Sequence, residues 1–111
     1  MVSEETHVAT GPPPSLKALR RKRRRIVEIA ASHGGSNVRV VGSVARGEAD
    51  EQSDLDLLMD IDGRGEGFAY FGRVADLERA LSELLGCKVD VMDAAALKRM
   101  RERVLRDAVP I

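Results

Sequence analysis

The chain has 111 residues, 43% hydrophobic and 32% charged, with 18 basic and 18 acidic side chains and a formal net charge of zero. That length carries one domain around one core. Neutrality excludes a generally basic nucleic-acid coat and a generally acidic tail, though not a local patch. One cysteine and two histidines far apart in sequence exclude a disulfide framework and a cysteine- or histidine-built zinc site. No apolar run approaches the ~20 residues that span a bilayer. Residues 1–10 lack the apolar centre of a signal peptide. The expectation is a cytoplasmic domain with no membrane contact. Aromatics are only 3% and tryptophan is absent, so Leu, Val, Ile and Ala must fill the core.

Residues 1–14, which end on Pro12, Pro13 and Pro14, show no periodicity and read as a disordered leader before one domain over 15–111. Ser15 can cap a helix over 15–33, with Gly34 and Gly35 stopping it. Leu16, Leu19, Ile26, Ile29 and Ala30 form its apolar stripe. The run 17–25 carries seven positive charges and no acid. A short strand is expected over 38–41, and a short helix over 44–48. Residues 54–61 alternate as a half-buried strand, with Asp54, Asp56 and Leu58 on one face and Leu55, Leu57, Met59 and Ile61 on the other.

After a loop through Gly63, Gly65 and Gly67, residues 68–85 read as a helix. Phe71, Val74, Leu77, Leu81, Leu84 and Leu85 form its buried face, and Gly86 ends it. A third strand is expected over 88–92, with Asp90 opposite in facing to Val89 and Val91. Asp93 can cap a last helix over 93–107. The expected order is α-β-α-β-α-β-α.

The chemistry concentrates in Gly42 and Ser43, then ten residues, then Asp54 and Asp56, with Asp90 later. Chance supplies the Gly-Ser and Asp-x-Asp spacing in roughly one chain per thousand of this length. Asp54 and Asp56, two apart on a strand, share a face. Carboxylates held together repel, and one keeps a proton unless a cation sits between them. Mg²⁺, a hard ion that takes oxygen ligands, suits that place. Asp90 sits among apolar strand residues, where an isolated acid would be desolvated. If its strand lies beside Asp54 and Asp56, the three acids form a cluster that a pair of metal ions can bridge.

Gly42 lets the backbone approach a ligand, and the Ser43 hydroxyl with the free N–H groups of a new helix can bind phosphate oxygens. For that turn to meet the acids, the first two strands must be antiparallel neighbours in a mixed sheet. Phosphates on one side and metal ligands on the other suit two-metal nucleotidyl transfer. Arg46 either pairs with Glu48 or Asp50 or contacts phosphate or a partner. Ser53 either caps the turn before the strand or serves as a direct ligand.

The stretch 42–60 with Asp90 resembles the minimal nucleotidyltransferase branch of the DNA polymerase beta superfamily. That group carries the same Gly-Ser and Asp-x-Asp spacing with a later Asp. The similarity follows the order of elements over about 36–107. It implies the nucleotidyltransferase fold, an α/β (α+β) architecture with a mixed β-sheet of three or more strands flanked by helices. It further implies that Asp54 and Asp56 bind both metals and that Asp90 binds one and helps deprotonate the acceptor hydroxyl. Gly42 and Ser43 would hold the β- and γ-phosphates of ATP.

Many small members of the group resemble antitoxins paired with an all-helical HEPN ("higher eukaryotes and prokaryotes nucleotide-binding") ribonuclease toxin. In that pairing AMP passes from ATP to a toxin tyrosine. A binding module that neutralises such a toxin by masking it, without catalysis, is the competing reading. Pure masking has no need of the three acids, which favours the enzyme. A nucleic-acid binder working through the run 17–25 is the third reading. No aromatic is interleaved there to stack bases, which argues against nucleic acid. With one core and no second domain to hold it, the acceptor is expected to arrive on another molecule.

Overall fold

Ser15 opens the first helix, its hydroxyl accepting the Ala18 N–H at 3.1 Å. The computed structural model describes residues 13–62, 67–97 and 101–111. The expected leader up to residue 12, Gly63, Gly65 and part of the expected last helix lie outside the described residues.

One helix was expected over 15–33, and two consecutive helices occupy it, α1 (Leu16–Arg21) and α2 (Arg23–Ser32). Lys22, at φ −107°, ψ 16°, leaves helical geometry between them. Its ammonium donates to the Leu84 carbonyl at 3.1 Å, which ties the step to the last turn of a later helix. The apolar stripe survives the step: Leu19, Ile26 and Ala30 are buried. His33 ends α2, its Nδ1 lying 2.8 Å from the Ile29 carbonyl.

Strand β1 (Gly35–Val41) begins earlier than 38, and α3 (Gly42–Ala45) follows it with no intervening loop. Strand β2 is Leu55–Ile61, helix α4 Phe68–Leu85, and strand β3 Val89–Asp93. Gly86 closes α4 in the left-handed conformation, φ 71°, which costs glycine no Cβ clash. Asp93 caps a helix as expected, but a 3₁₀ turn, Ala94–Ala96, through the Ala95 N–H at 3.0 Å. Helix α5 (Arg101–Asp107) and a two-residue strand, β4 (Val109–Pro110), finish the described chain.

The four strands form one mixed sheet in the order β3-β2-β1-β4. β1 and β2 are antiparallel, with Val41 opposite Asp56, and β4 is antiparallel to β1. β2 and β3 are parallel, joined by the α4 crossover, with Asp56 opposite Asp90. The expected antiparallel neighbours and mixed sheet are present.

Alternation along the strands builds two cores. Leu55, Leu57 and Met59 pack with Val38, Val40, Ile26, Leu77 and Leu81 on the face covered by α1, α2 and α4. Leu58 packs with Val41 and Ala94 on the other face, where Met92, Val104 and Leu105 join them. The expected half-buried pattern of β2 holds at Asp56 and Asp60 but not at Leu58, which the 3₁₀ turn at Ala94 together with α5 leaves no exposure. Phe71 was expected in the core, but it is 68% exposed. The buried stripe of α4 is set by Leu77 and Leu81, while Tyr70 and Phe71 of its first turns line a cavity with Asp60 and Asp93.

Candidate active site

The end of β1 and the start of β2 meet because the strands run antiparallel and Val41 pairs with Asp56. Gly42 follows at once, at φ 75°. A Cβ built there would stand 2.6 Å from Asp56 Oδ2, closer than real contacts allow. Both the backbone angle and the adjoining carboxylate thus demand glycine. Val41 gives α3 no side-chain cap, so the first-turn N–H groups stay available beside Asp56. Ser43, half-buried, sits in that turn, and its carbonyl accepts the Glu48 N–H at 2.9 Å.

Parallel pairing puts Asp90 directly opposite Asp56, and strand alternation puts Asp54 on the same face. Asp56 is pushed above the ordinary carboxylate range. Burial contributes most, followed by the negative charges of Asp90 and Asp54, with Lys88 opposing them. Lys88 Nζ lies 3.8 Å from Asp54 Oδ2, so this cation engages the outer acid.

Among the described residues, no group of three His, Cys, Asp or Glu side chains is arranged as a ready-made metal cage. Mg²⁺ in general binds through one or two carboxylates together with substrate phosphates and keeps several waters. Beyond burial, the donors that surround Asp56 are carboxylate oxygens whose mutual repulsion raises it, which is the chemistry a hard divalent cation would relieve.

A cavity of about 210 Å³ opens over this face, lined by Val41, Gly42, Arg46, Asp56, Met92, Val104 and Asp107. Arg46 therefore reaches the cavity wall, but its Nε also pairs with Glu48 Oε1 at 3.0 Å. Ser53 stays in the turn before β2: its hydroxyl accepts the Asp50 N–H at 2.9 Å and donates to Asp50 Oδ1 at 3.1 Å. The structure thus gathers Gly42, Ser43, Asp54, Asp56 and Asp90, brings Arg46 to the rim, and employs Ser53 in holding the loop.

Sequence reasoning missed Lys88, Val104 and Asp107. Lys88 was legible as the residue entering the strand of Asp90. Val104 and Asp107 reach the cavity only because α5 folds back over the sheet. A larger cavity, about 500 Å³, lies where β2 and β3 end, beside Asp60, Asp62 and Asp93. It holds neither the Gly-Ser turn nor the acid trio.

The nucleotidyltransferase domain profile matches residues 19–110. The chain is 34% identical over 90 residues to "Putative protein adenylyltransferase MJ0435" of Methanocaldococcus jannaschii, covering 80% of this chain and 92% of that protein. It is 36% identical over 83 residues to "Protein adenylyltransferase MntA" of Thermococcus cleftensis, covering 74% and 80%. A solved structure of a "putative minimal nucleotidyltransferase" superposes with a TM-score of 0.72 at 44% identity, covering 88% of this chain and 97% of that one. Fold and relatives agree, and the chain belongs to the nucleotidyltransferase domain family.

Proposed function

We propose that this chain transfers AMP from ATP, with Mg²⁺, to a tyrosine hydroxyl of a partner protein. In this reading it is the antitoxin of a toxin-antitoxin pair, and its partner is a HEPN-type ribonuclease. The observation that carries the chemistry is the register of Asp56 opposite Asp90 with Gly42 against Asp56. It sets the Gly-Ser turn beside the facing acids Asp56 and Asp90, which supports a phosphate and metal site there. The relatives' names supply the adenylyl group and the protein acceptor. An ATP-consuming reaction supports a cytoplasmic location in this reading; among the described residues no helix is long and apolar enough to cross a membrane.

Asp54, Asp56 and Asp90 would hold the metal. Bound there, it neutralises polyphosphate charge and eases departure of pyrophosphate. Gly42 and Ser43 hold the β- and γ-phosphates through backbone N–H groups and a hydroxyl. The acceptor oxygen attacks the α-phosphorus, its bond to pyrophosphate breaks, and the Asp90 carboxylate takes the hydroxyl proton. Incubation of the chain with the helical protein encoded beside it, ATP and Mg²⁺ tests this. The partner should gain the mass of one or more AMP units. A partner inhibited but unmodified would overturn transfer in favour of masking.

A further inference from the structure

Away from the acid trio, the surface is polarised. All three aromatic residues of the chain fall within residues 68–71. Phe68 is 93% exposed and Phe71 68% exposed. Phe71 and Tyr70 line the cavity of about 500 Å³ together with Asp60, Asp62 and Asp93. Among the described residues that line it there is no lysine or arginine, although Arg39 pairs with Asp60 at 3.3 Å and Arg73 donates to the Asp62 carbonyl.

A second cavity, about 300 Å³, adjoins the first at Ser36, which lines both. Its wall includes Arg23, Val27 and Ala31 of α2. Val27, 40% exposed, is the remaining large exposed hydrophobic among the described residues. It lies next to a run that puts seven positive charges in residues 17–25. The acidic aromatic cavity and the basic aliphatic one thus share a border on either side of β1. A β-bulge marks that border, between Ser36 and Arg39, with Asn37 at φ 55°.

We infer that a second copy of this chain docks here, in a two-fold dimer that sets the basic α2 face of each copy on the Phe68–Phe71 cavity of the other. One surface offers aromatic area with an excess of carboxylates, Asp60, Asp62 and Asp93; the other offers the aliphatic Val27 beside Arg23 and Arg24, which also pairs with Glu28 at 3.4 Å. Their adjacency across Ser36 lets one two-fold axis satisfy both contacts at once. The chain's zero net charge leaves no global repulsion to oppose the pairing. The acid trio lies at the opposite ends of β2 and β3, so the dimer does not depend on the proposed reaction.

Sedimentation equilibrium of the full chain tests this. The wild type should sediment at twice the chain mass, and Phe68→Ser/Phe71→Ser should weaken association roughly tenfold or more, as loss of aromatic anchors does. Arg23→Glu/Arg24→Glu and Asp62→Lys should each weaken it by about tenfold through like-charge contacts. A 1:1 mixture of those two charge variants should dimerise again, since every reciprocal contact is then between opposite charges. Circular dichroism of each variant separates lost association from lost fold. A wild type monomeric at ~1 mM and low salt, where electrostatic pairing is strongest, would overturn the inference. So would a dimer that the variants leave intact, or charge variants that fail to rescue one another.

Discussion

Gly42 backs onto Asp56 so closely that a Cβ on the glycine would stand 2.6 Å from the Asp56 Oδ2. The relationship ties the Gly-Ser turn to the acid cluster through one contact. Gly42→Ala meets two penalties, the positive φ of 75° and the carboxylate. Together they should cost about 1–3 kcal/mol of stability. Because relief requires Asp56 to move, activity should fall further than the loss of folded protein explains. Urea unfolding beside an activity assay on the folded fraction checks this.

Asp56 stores an electrostatic cost. Its acid is raised by burial first, then by Asp90 and Asp54. A folded-state value above the unfolded one means that the native state binds the proton more tightly. The cost is absent below the unfolded value near 3.8. It grows as pH rises through the folded value, and is complete above it. Asp56→Asn should therefore stabilise the metal-free protein at neutral pH, by about 0.5–1 kcal/mol, and abolish transfer. Mg²⁺ should raise the Tm of the wild type and leave that of the variant unmoved. The wild-type response should fade as pH drops and protons compete for the carboxylate. Differential scanning calorimetry across pH, with and without Mg²⁺, checks each arm.

The acids were legible because strand alternation and burial pattern are written in local sequence. Asp54, Asp56 and Asp90 follow from period two, and the antiparallel placing of β1 and β2 follows from requiring Gly42 to meet them. What escaped depends on distant chain. Lys22 breaks the first helix without a proline or glycine to announce it, since its ammonium finds the Leu84 carbonyl. Phe71 continues the apolar stripe of α4 but lies where no element among the described residues buries it. β4 has two residues, too few to show any period. Leu58 read as half-exposed because α5, which buries it, is separated from it by the whole α4-β3 unit.

Ser43 should act on nucleotide and little on fold. It stands in the uncapped first turn beside Asp56, where a hydroxyl can meet a charged oxygen. Ser43→Ala should cost about 1–2 kcal/mol of ATP binding, the scale of a hydrogen bond to a charged group. Calorimetric titration with a non-hydrolysable ATP analogue measures it. A large fall in Tm with unchanged affinity would instead make Ser43 a structural residue of the turn.

Tyr70 offers a titration free of overlap, since it is the one tyrosine in a chain without tryptophan. Burial, then its hydrogen bond and the charge of Asp93, push it up to about 12, with Arg73 acting the other way. The Tyr70 hydroxyl donates to Asp93 Oδ2 at 2.7 Å. The neutral phenol is the form the fold favours. The stabilisation is present below the unfolded value of 10.0 and is lost as pH rises through about 12. Ultraviolet absorbance should show the phenol mostly un-ionised near pH 11. Asp93→Asn should move the midpoint down towards the ordinary value, because it removes the charge that penalises the phenolate.

Substitution of Asp90 should separate binding from chemistry. Asp90 faces Asp56 across the β2–β3 ladder but does not line the cavity that Gly42, Arg46 and Asp56 share. A substrate held by the Gly-Ser turn, Asp54 and Asp56 would keep most of its contacts without it. The acceptor hydroxyl would lose the carboxylate that takes its proton. Asp90→Asn keeps the shape and removes the charge, so transfer should fall about 10²–10⁴-fold, the range for a lost general base. Affinity for the ATP analogue should change little. The same substitution removes one of the charges that raise Asp56, so the Asp56 carboxyl should titrate at lower pH, as NMR of its side chain would show. Transfer at the wild-type rate, with Asp56 still shifted down, would leave Asp90 as a strand acid that tunes its neighbour and takes no proton.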